Sequence, residues 1–385
     1  MGVYAMNQSN ILSKKHSKLK NLLYVLDTFP KISETFILNE ICHLLNLGYE
    51  IKIISLNKPN EENHNANFYN FNLANRVKYF SKKEIEAATG EIRNYISDCQ
   101  VIHSHFAHDA ALVAGRLAKK LGLPFSVTVH AYEIFREGCF DFARVQEICN
   151  EASLIFTPSM YNKKFISNLI EVDSSKIKIV RATIDHVKFQ HFLTDTDKKS
   201  SFQLAYCGRL IEKKGVDFLL KAVALLRQKR QDFHLKIIGT GHLEYKLKNL
   251  TNDLEANSYV EFLGEKTNEE FQKELIKTDI FVSPCIIDHN GDRDVCPLTI
   301  QEAMAMHVPV ISTSIASIPE LVQHDISGIL VPEKDTNTLT DAIDALLNSK
   351  EKRIKLAINA RAIIENEFNN TIQTQKLLKD WEEII

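Results

Sequence analysis

Residues 202–238 read FQLAYCGRLIEKKGVDFLLKAVALLRQKRQDFHLKII. A short apolar run, Phe202–Cys207, gives way to a helical period over Val216–Arg227, and a second apolar run follows at His234–Ile238. That is one strand–helix–strand unit. The same alternation continues outward on both sides. Toward the C-terminus it predicts helix Leu243–Leu254, strand Tyr259–Leu263, helix Glu269–Lys277, strand Ile280–Ser283 and helix Leu298–Met306. Strands Val308–Thr313 and Gly328–Val331 come next, and helices Leu339–Leu347, Lys352–Glu367 and Thr371–Ile384 close the chain. Toward the N-terminus the expected strands are Asn21–Phe29, Glu50–Leu56, Val101–Phe106, Phe125–His130, Ser153–Pro158 and Lys176–Arg181, with amphipathic helices such as Glu34–Leu47 and Ala110–Leu121 between them. Thr267-x-x-Glu270 and Ser317-x-x-Glu320 read as capping boxes at helix starts. Alternation of this kind means an α/β fold of doubly wound type, with parallel sheets covered by helices on both faces. Thr194–Ser201 holds no apolar residue and reads as a linker. The chain therefore divides into two similar-sized domains.

The whole-chain composition narrows the class. The chain has 385 residues, 44% hydrophobic and 25% charged, which is ordinary for globular domains. Lys+Arg 47 against Asp+Glu 49 leaves a formal charge of −2, too little to attract nucleic acid or anionic lipid globally. The 7 cysteines are scattered and form no CxxC pair, so reduced thiols in a cytoplasmic setting are expected. No apolar run approaches the roughly 18 residues of a membrane span. The basic stretch Lys14–Lys20 leads into a strand-like segment, not a signal-peptide cleavage site.

Open α/β sheets bind ligands beyond the carboxyl ends of their strands, so the residues just after each strand carry the functional information. After Ile280–Ser283 comes the densest polar cluster, Asp288 to Glu302. Pro297 suits a first helical turn, which leaves the N–H groups of Leu298 and Thr299 as an anion site backed by the helix dipole. Glu302, little more than a turn on, could accept hydrogen bonds from two neighbouring hydroxyls such as those of a ribose; the plainer reading is a helix glutamate that only favours the dipole. After Phe202–Cys207, Gly208 and Gly215 allow close backbone approach while Arg209 and Lys214 could clamp a diphosphate, against the plainer reading of a solvated basic turn. Gly239-Thr-Gly241 lacks the third glycine of a dinucleotide fingerprint.

In the first half, His103-Ser-His105-Phe-Ala-His108 invites a zinc reading, but no cysteine or carboxylate stands nearby in sequence to complete it. Asp292-Arg-Asp294 likewise resembles a metal-binding DxD, which a phosphate-binding helix terminus makes unnecessary. No metal is expected. No nucleophile elbow, Walker A loop or basic-aromatic stripe is present.

Asp294 and Glu302, which enclose seven residues, together with Arg209, Lys214 and His130 resemble family 4 of the retaining GT-B glycosyltransferases and its E-x7-E motif. The segment Gly291–Ala305 is similar to the version found in exopolysaccharide and colanic-acid-type enzymes, as is the first loop Phe29-Pro-Lys-Ile-Ser-Glu-Thr-Phe-Ile37. His103-Ser-His105-Phe, Val129–Glu133 and Ile184-Asp185 also fall where the family has matching segments, so the likeness spans about residues 21–370.

The resemblance implies two Rossmann-like domains facing across a cleft: an acceptor-side domain over 1–195, a donor-binding domain over 200–370, and a final helix over 371–385 that crosses back to the first. It implies a hexose moved with retention from a nucleotide-sugar, weighted toward a UDP-hexose, to a hydroxyl of a glycan or lipid-linked glycan in surface polysaccharide synthesis. Arg209 and Lys214 would bind the diphosphate, Leu298 and Thr299 would add amides, and Glu302 would bind the ribose. Gly208 and Gly239 would let the backbone approach the nucleotide, and His130 would touch the transferred sugar. Asp294 stands one methylene short of the family glutamate, where it would bind a sugar hydroxyl, and Val295 replaces the usual glycine. Ser33, Glu34, Thr35 and His105 fall on the acceptor side. The nucleotide-sugar is a co-substrate, so no cofactor is expected. A cytoplasmic protein with peripheral membrane contact through Lys14, Lys15, Lys18 and Lys20 would suit a lipid-linked acceptor. The competing readings are a sugar-nucleotide epimerase or hydrolase on the same scaffold, and a non-catalytic sugar-nucleotide-binding protein.

Overall fold

A computed structural model describes residues 18–31, 34–60, 66–139, 141–189 and 201–385. Most of the proposed linker, Lys14, Lys15 and Ser33 lie outside the described residues. The first sheet is built from β1 (Asn21–Thr28), β2 (Glu50–Asn57), β3 (Val77–Tyr79), β4 (Val101–His105), β5 (Phe125–Thr128), β6 (Leu154–Thr157) and β7 (Ile177–Ile179). The second is built from β8 (Phe202–Cys207), β9 (Phe233–Ile238), β10 (Val260–Gly264), β11 (Ile280–Ser283), β12 (Val310–Thr313) and β13 (Ile329–Val331).

Every pairing between these strands is parallel, in the orders β3-β2-β1-β4-β5-β6-β7 and β10-β9-β8-β11-β12-β13. The order reverses beside β1 and β4 in one sheet and beside β8 and β11 in the other. Those are the switch points at which a doubly wound sheet opens a crevice. Each sheet is apolar on both faces because helices cover both. Leu23, Val25 and Val127 pack on one side of the first sheet while Leu22, Tyr24 and Phe156 pack on the other. The second sheet repeats this with Leu204 and Val282 against Ala205 and Phe281.

The two halves are tied by several contacts. The final helix, Asn370–Glu382, packs its Leu377, Leu378 and Trp381 into the first half's core, and the Trp381 indole donates to Ser126 Oγ at 2.8 Å in β5. Arg181, just after β7, pairs with Glu320 of the second half at 3.0 Å. Glu320 also accepts from the amides of Met160 and Tyr161 at 3.0 and 2.8 Å, capping the helix Met160–Leu169 across the interface. The capping box at Thr267 and Glu270 forms within its own helix. The one at Ser317 does not: its hydroxyl instead accepts from the Cys296 amide, and Glu320 serves the other half.

Candidate active site between the two sheets

The carboxyl ends of the two sheets enclose a cleft of about 790 Å³, lined by Lys31, Glu34, Phe36, His130 and Tyr132 on one side and by Arg209, Lys213, Asp292 and Asp294 on the other. That volume suits a drug-sized ligand. On the second side, the turns after β8 and β9 are laced together, Gly208 N–H to Ile238 and Leu210 N–H to Thr240 at 3.0 and 2.8 Å. Gly239 has φ +125° there, and a Cβ on it would stand 2.1 Å from the Gly208 carbonyl oxygen. Gly215 ends the short helical turn Glu212–Lys214 at φ +64°, with the Pro284 carbonyl 2.1 Å from where its Cβ would be. Only glycine fits either place.

That packing clusters four charges at the cleft, three of which line it. Lys213 Nζ lies 3.0 Å from Asp292 and 3.4 Å from Asp294, and Lys214 pairs with the other oxygen of Asp294. The Cys285 thiol also donates to Asp294, at 3.4 Å. Burial alone would raise the Asp294 carboxyl, yet the two ammonium groups hold it far below the usual carboxylate range, so it stays ionised. Arg209 is the exposed cation of this wall, and its guanidinium has no partner among the described residues. The Tyr206 hydroxyl anchors its carbonyl at 3.1 Å.

The helix Leu298–Ala305 starts at Pro297 without a side-chain cap, and the amides of Leu298 and Thr299 have no acceptor among the described residues. Glu302 is buried on this helix, and burial pushes its carboxyl up to about 8. No donor reaches it among the described residues. Lys214, Glu302, Leu298 and Thr299 do not line the open cleft; Arg209, Asp294 and His130 do.

On the first side His130 follows β5. Its amide donates to Glu133 at 2.5 Å and its carbonyl accepts from Asn162. The ring is held between Phe36 and Phe106, with centroids 4.7 and 4.5 Å away. His130 Nε2 lies 3.0 Å from His105 Nδ1, and His105 Nε2 lies 3.1 Å from Glu40 Oε1. Glu40 also accepts from the Tyr24 hydroxyl at 2.7 Å. His103 is fully buried, with Nδ1 on Ser126 at 2.8 Å and Nε2 on Thr128 at 3.2 Å.

In both candidate metal clusters the potential ligand groups are already engaged by neighbouring side chains. Potential ligand atoms of Glu40, His103 and His105 lie within 4.8 Å of one another, but every nitrogen already has a hydrogen-bond partner. In the DxD-like pair, Asp292 and Asp294 are both neutralised by lysines.

Two family models match the chain. Residues 33–188 match Glycosyltransferase Family 4, and residues 185–363 match Glycosyl transferases group 1. The chain carries both glycosyltransferase domains, one in each half, and is a glycosyltransferase. The glycosyltransferase is 28% identical to the amylovoran biosynthesis glycosyltransferase AmsK of Erwinia amylovora, over 92% of this chain and 98% of that one. It is 26% identical to WcaL of Escherichia coli strain K12, named for colanic acid biosynthesis, over 92% and 97%. Among solved structures, Anabaena Alr3699/HepE in complex with UDP superposes with a TM-score of 0.78 at 16% identity, covering 95% of this chain and all 100% of that one. A glycosyltransferase from Rickettsia africae gives 0.76 at 17% identity, over 95% and 99%. These two share the GT-B fold.

The glycosyltransferase's structure changes two readings made from sequence. His105 is not an acceptor-side contact: it is 2% exposed and both its nitrogens are engaged inside the fold. A carboxylate does stand beside the histidines, but it is Glu40, far away in sequence. Of the remaining acceptor-side candidates, Glu34 lines the cleft and pairs with Lys31 at 2.7 Å, and Thr35 opens that helix.

Proposed function

We propose that this glycosyltransferase moves a hexose from a UDP-hexose, with retention, to a hydroxyl of a glycan or lipid-linked glycan in exopolysaccharide assembly. The observation that carries it is the unpartnered cation Arg209 lining the cleft beside Asp294; Lys214 pairs with that carboxylate from outside the open cleft, and the helix that follows carries the free amides of Leu298 and Thr299 and the unpartnered Glu302. On this reading residues 1–195 hold the acceptor side and 200–370 the donor. The relatives named for amylovoran and colanic acid biosynthesis, and the UDP and UDP-glucose held by the Anabaena protein, support the choice of pathway and donor.

Each residue then has a task its chemistry allows. Arg209 forks onto the diphosphate. Lys214 has three N–H donors, so it can keep Asp294 and still reach a phosphate oxygen. The amides of Leu298 and Thr299 meet the phosphate at the helix N-terminus, and Glu302 accepts from the ribose hydroxyls. Asp294, ionised and fixed, has lone pairs left for a sugar hydroxyl. His130 contacts the transferred sugar.

The acceptor oxygen bonds to C1 on the face from which UDP leaves, the C1–oxygen bond to the diphosphate breaks, and the departing phosphate takes the acceptor's proton. The fixed charges stabilise the negative charge that develops on the leaving group, the term that usually dominates such catalysis. No metal is assigned a part. Among the described residues no helix is long and apolar enough to cross a membrane. We place the protein in the cytoplasm, with the basic segment at Lys14–Lys20 contacting anionic lipid. Liposome co-sedimentation with and without residues 1–20 tests the lipid contact, and equal pelleting contradicts it.

A thermal-shift panel with UDP, GDP and ADP tests the donor, because a ligand that binds only the folded chain raises Tm. UDP should give the largest rise. A larger rise with GDP or ADP, or none with any, would contradict the proposal.

A further inference from the structure

We propose that Arg136 and Arg293 form an anion subsite at the rim of the cleft, and that the acceptor therefore carries an acidic group, a sugar carboxylate or a phosphate. The assignment to the acceptor rests on the first half holding that substrate, as proposed above. The anion subsite itself rests on the geometry alone.

Most of the charges that line the cleft are balanced within the fold. Glu34 pairs with Lys31 at 2.7 Å, Asp292 and Asp294 share Lys213 and Lys214, and Glu212 holds the His289 ring. Asp288 accepts from the amides of Asn290 and Asp292 at 2.9 and 3.0 Å. Three guanidiniums are left over. Arg209, Arg136 and Arg293 all line the cleft, and none has an ion-pair partner among the described residues. The donor diphosphate takes Arg209, which leaves Arg136 and Arg293 without a counter-ion or a task.

The fold brings these two to one place. Arg293 comes from the second half and reaches across to the first, its guanidinium 4.6 Å from the Phe135 ring centroid. Its Nη1 donates to the Tyr161 hydroxyl at 2.7 Å and its Nε to the Gly291 carbonyl at 2.9 Å, while Nη2 has no acceptor among the described residues. Arg136 follows Phe135 directly and is exposed, with no side-chain partner among the described residues. The two segments are pinned side by side. The Glu137 amide donates to the Asn290 carbonyl at 2.8 Å, and a Cβ on Gly291 would stand 2.9 Å from the Phe135 carbonyl oxygen. Glu137 is the carboxylate adjacent in sequence, yet it pairs with neither arginine among the described residues. Arg293 is half-buried, and a partly desolvated cation without a counter-ion costs stability that an anionic ligand recovers. A guanidinium fork matches a carboxylate or a phosphate, and the ring and two hydrogen bonds set its orientation before any ligand arrives. The donor's own charge lies on its diphosphate, which Arg209, Lys214 and the amides of Leu298 and Thr299 serve. Phe135 and Arg136 belong to the acceptor half, so the anion read there is the acceptor's.

The test is calorimetric titration of two matched probe pairs into the full chain, with saturating UDP and again without it. One pair is 4-nitrophenyl β-D-glucuronide against 4-nitrophenyl β-D-glucoside, and the other is geranyl diphosphate against geraniol. In at least one pair the acidic probe should bind about tenfold or more tightly than its neutral twin, and which pair does so tells a sugar acid from a lipid-linked phosphate. Arg136→Gln and Arg293→Gln should each erase that preference and leave UDP affinity unchanged. Arg293 bridges the two halves, so Arg136→Gln, at an exposed side chain, decides the matter if the other variant does not fold. Equal affinities within both pairs, or a preference that survives Arg136→Gln, would overturn the proposal. So would UDP-glucuronate binding more tightly than UDP-glucose through the same two arginines, since the acid would then belong to the donor. Failure of UDP to bind strikes the donor assignment instead, and the titrations without UDP still read the anion subsite.

Discussion

Lys214 and Asp294, which resemblance assigns to opposite ends of a bound donor, are ion-paired to one another, with Asp294 lining the cleft and Lys214 outside it. Lys213 shares the same carboxylate at 3.4 Å, so two cations balance Asp294 and Asp292 together. The two ends of the donor would thus be read by one connected charge cluster. On the proposed reading Lys214→Ala removes a diphosphate contact, and it leaves Asp294 paired with Lys213. Turnover should fall by roughly 10²–10³-fold while Tm stays close to wild type. Asp294→Ala should behave differently, because it strands the buried Lys214 ammonium, while Lys213 keeps Asp292. It should cost about 3–5 kcal/mol of stability, read in a denaturant melt.

Glu302 gives a pH signature. Its carboxyl is pushed up to about 8 by burial, whereas in an unfolded chain it would titrate near ~4.3. Between those values the folded chain keeps a proton that the unfolded chain has lost. Stability is therefore full below the lower value, falls as pH rises, and levels off above about 8. Glu302→Gln cannot ionise. Its Tm should exceed that of the wild type by a margin that widens from pH 5 to pH 8, with a slope of at most about 1.4 kcal/mol per pH unit. A constant margin would count against the buried, donor-free carboxyl.

Gly239→Ala should abolish nucleotide binding without unfolding the second half. The added Cβ would stand 2.1 Å from the Gly208 carbonyl oxygen, so the two turns after β8 and β9 must part. UDP should no longer raise Tm in this variant, while its far-UV circular dichroism should match the wild type.

Glu320→Ala should weaken the contact between the halves. It removes the acceptor of the Met160 and Tyr161 amides, which supplements the N-cap Ser159 of the Met160–Leu169 helix, and the partner of Arg181. A lost cap costs about 0.5–2 kcal/mol. The expected outcome is a Tm drop of a few degrees and earlier exchange of the Met160 and Tyr161 amides in hydrogen-exchange measurements.

The fold was legible because both sheets are covered on both faces. Strands such as Ile280–Ser283 and Leu154–Thr157 are buried at every position and read as short, mostly apolar runs. Val77–Tyr79 went unseen: it is a three-residue edge strand with an exposed tyrosine and little apolar signal. Arg209, Lys214 and Asp294 were legible because each follows a strand end. The pairing of Lys214 with Asp294 was not, since nothing in the spacing of residues 80 apart sets it. Ser317 and Glu320 show the same limit: their spacing matched a local capping box, but tertiary partners took both side chains. Glu40 was missed because its role exists only once β4 brings His105 beside it.

The central claim, a UDP-sugar held by the second half, is tested most directly by calorimetric titration of UDP into the wild type, Arg209→Ala and Glu302→Gln. The wild type should bind one UDP, and each variant should bind at least about tenfold more weakly. Equal affinity in all three, or no binding by the wild type, would contradict it.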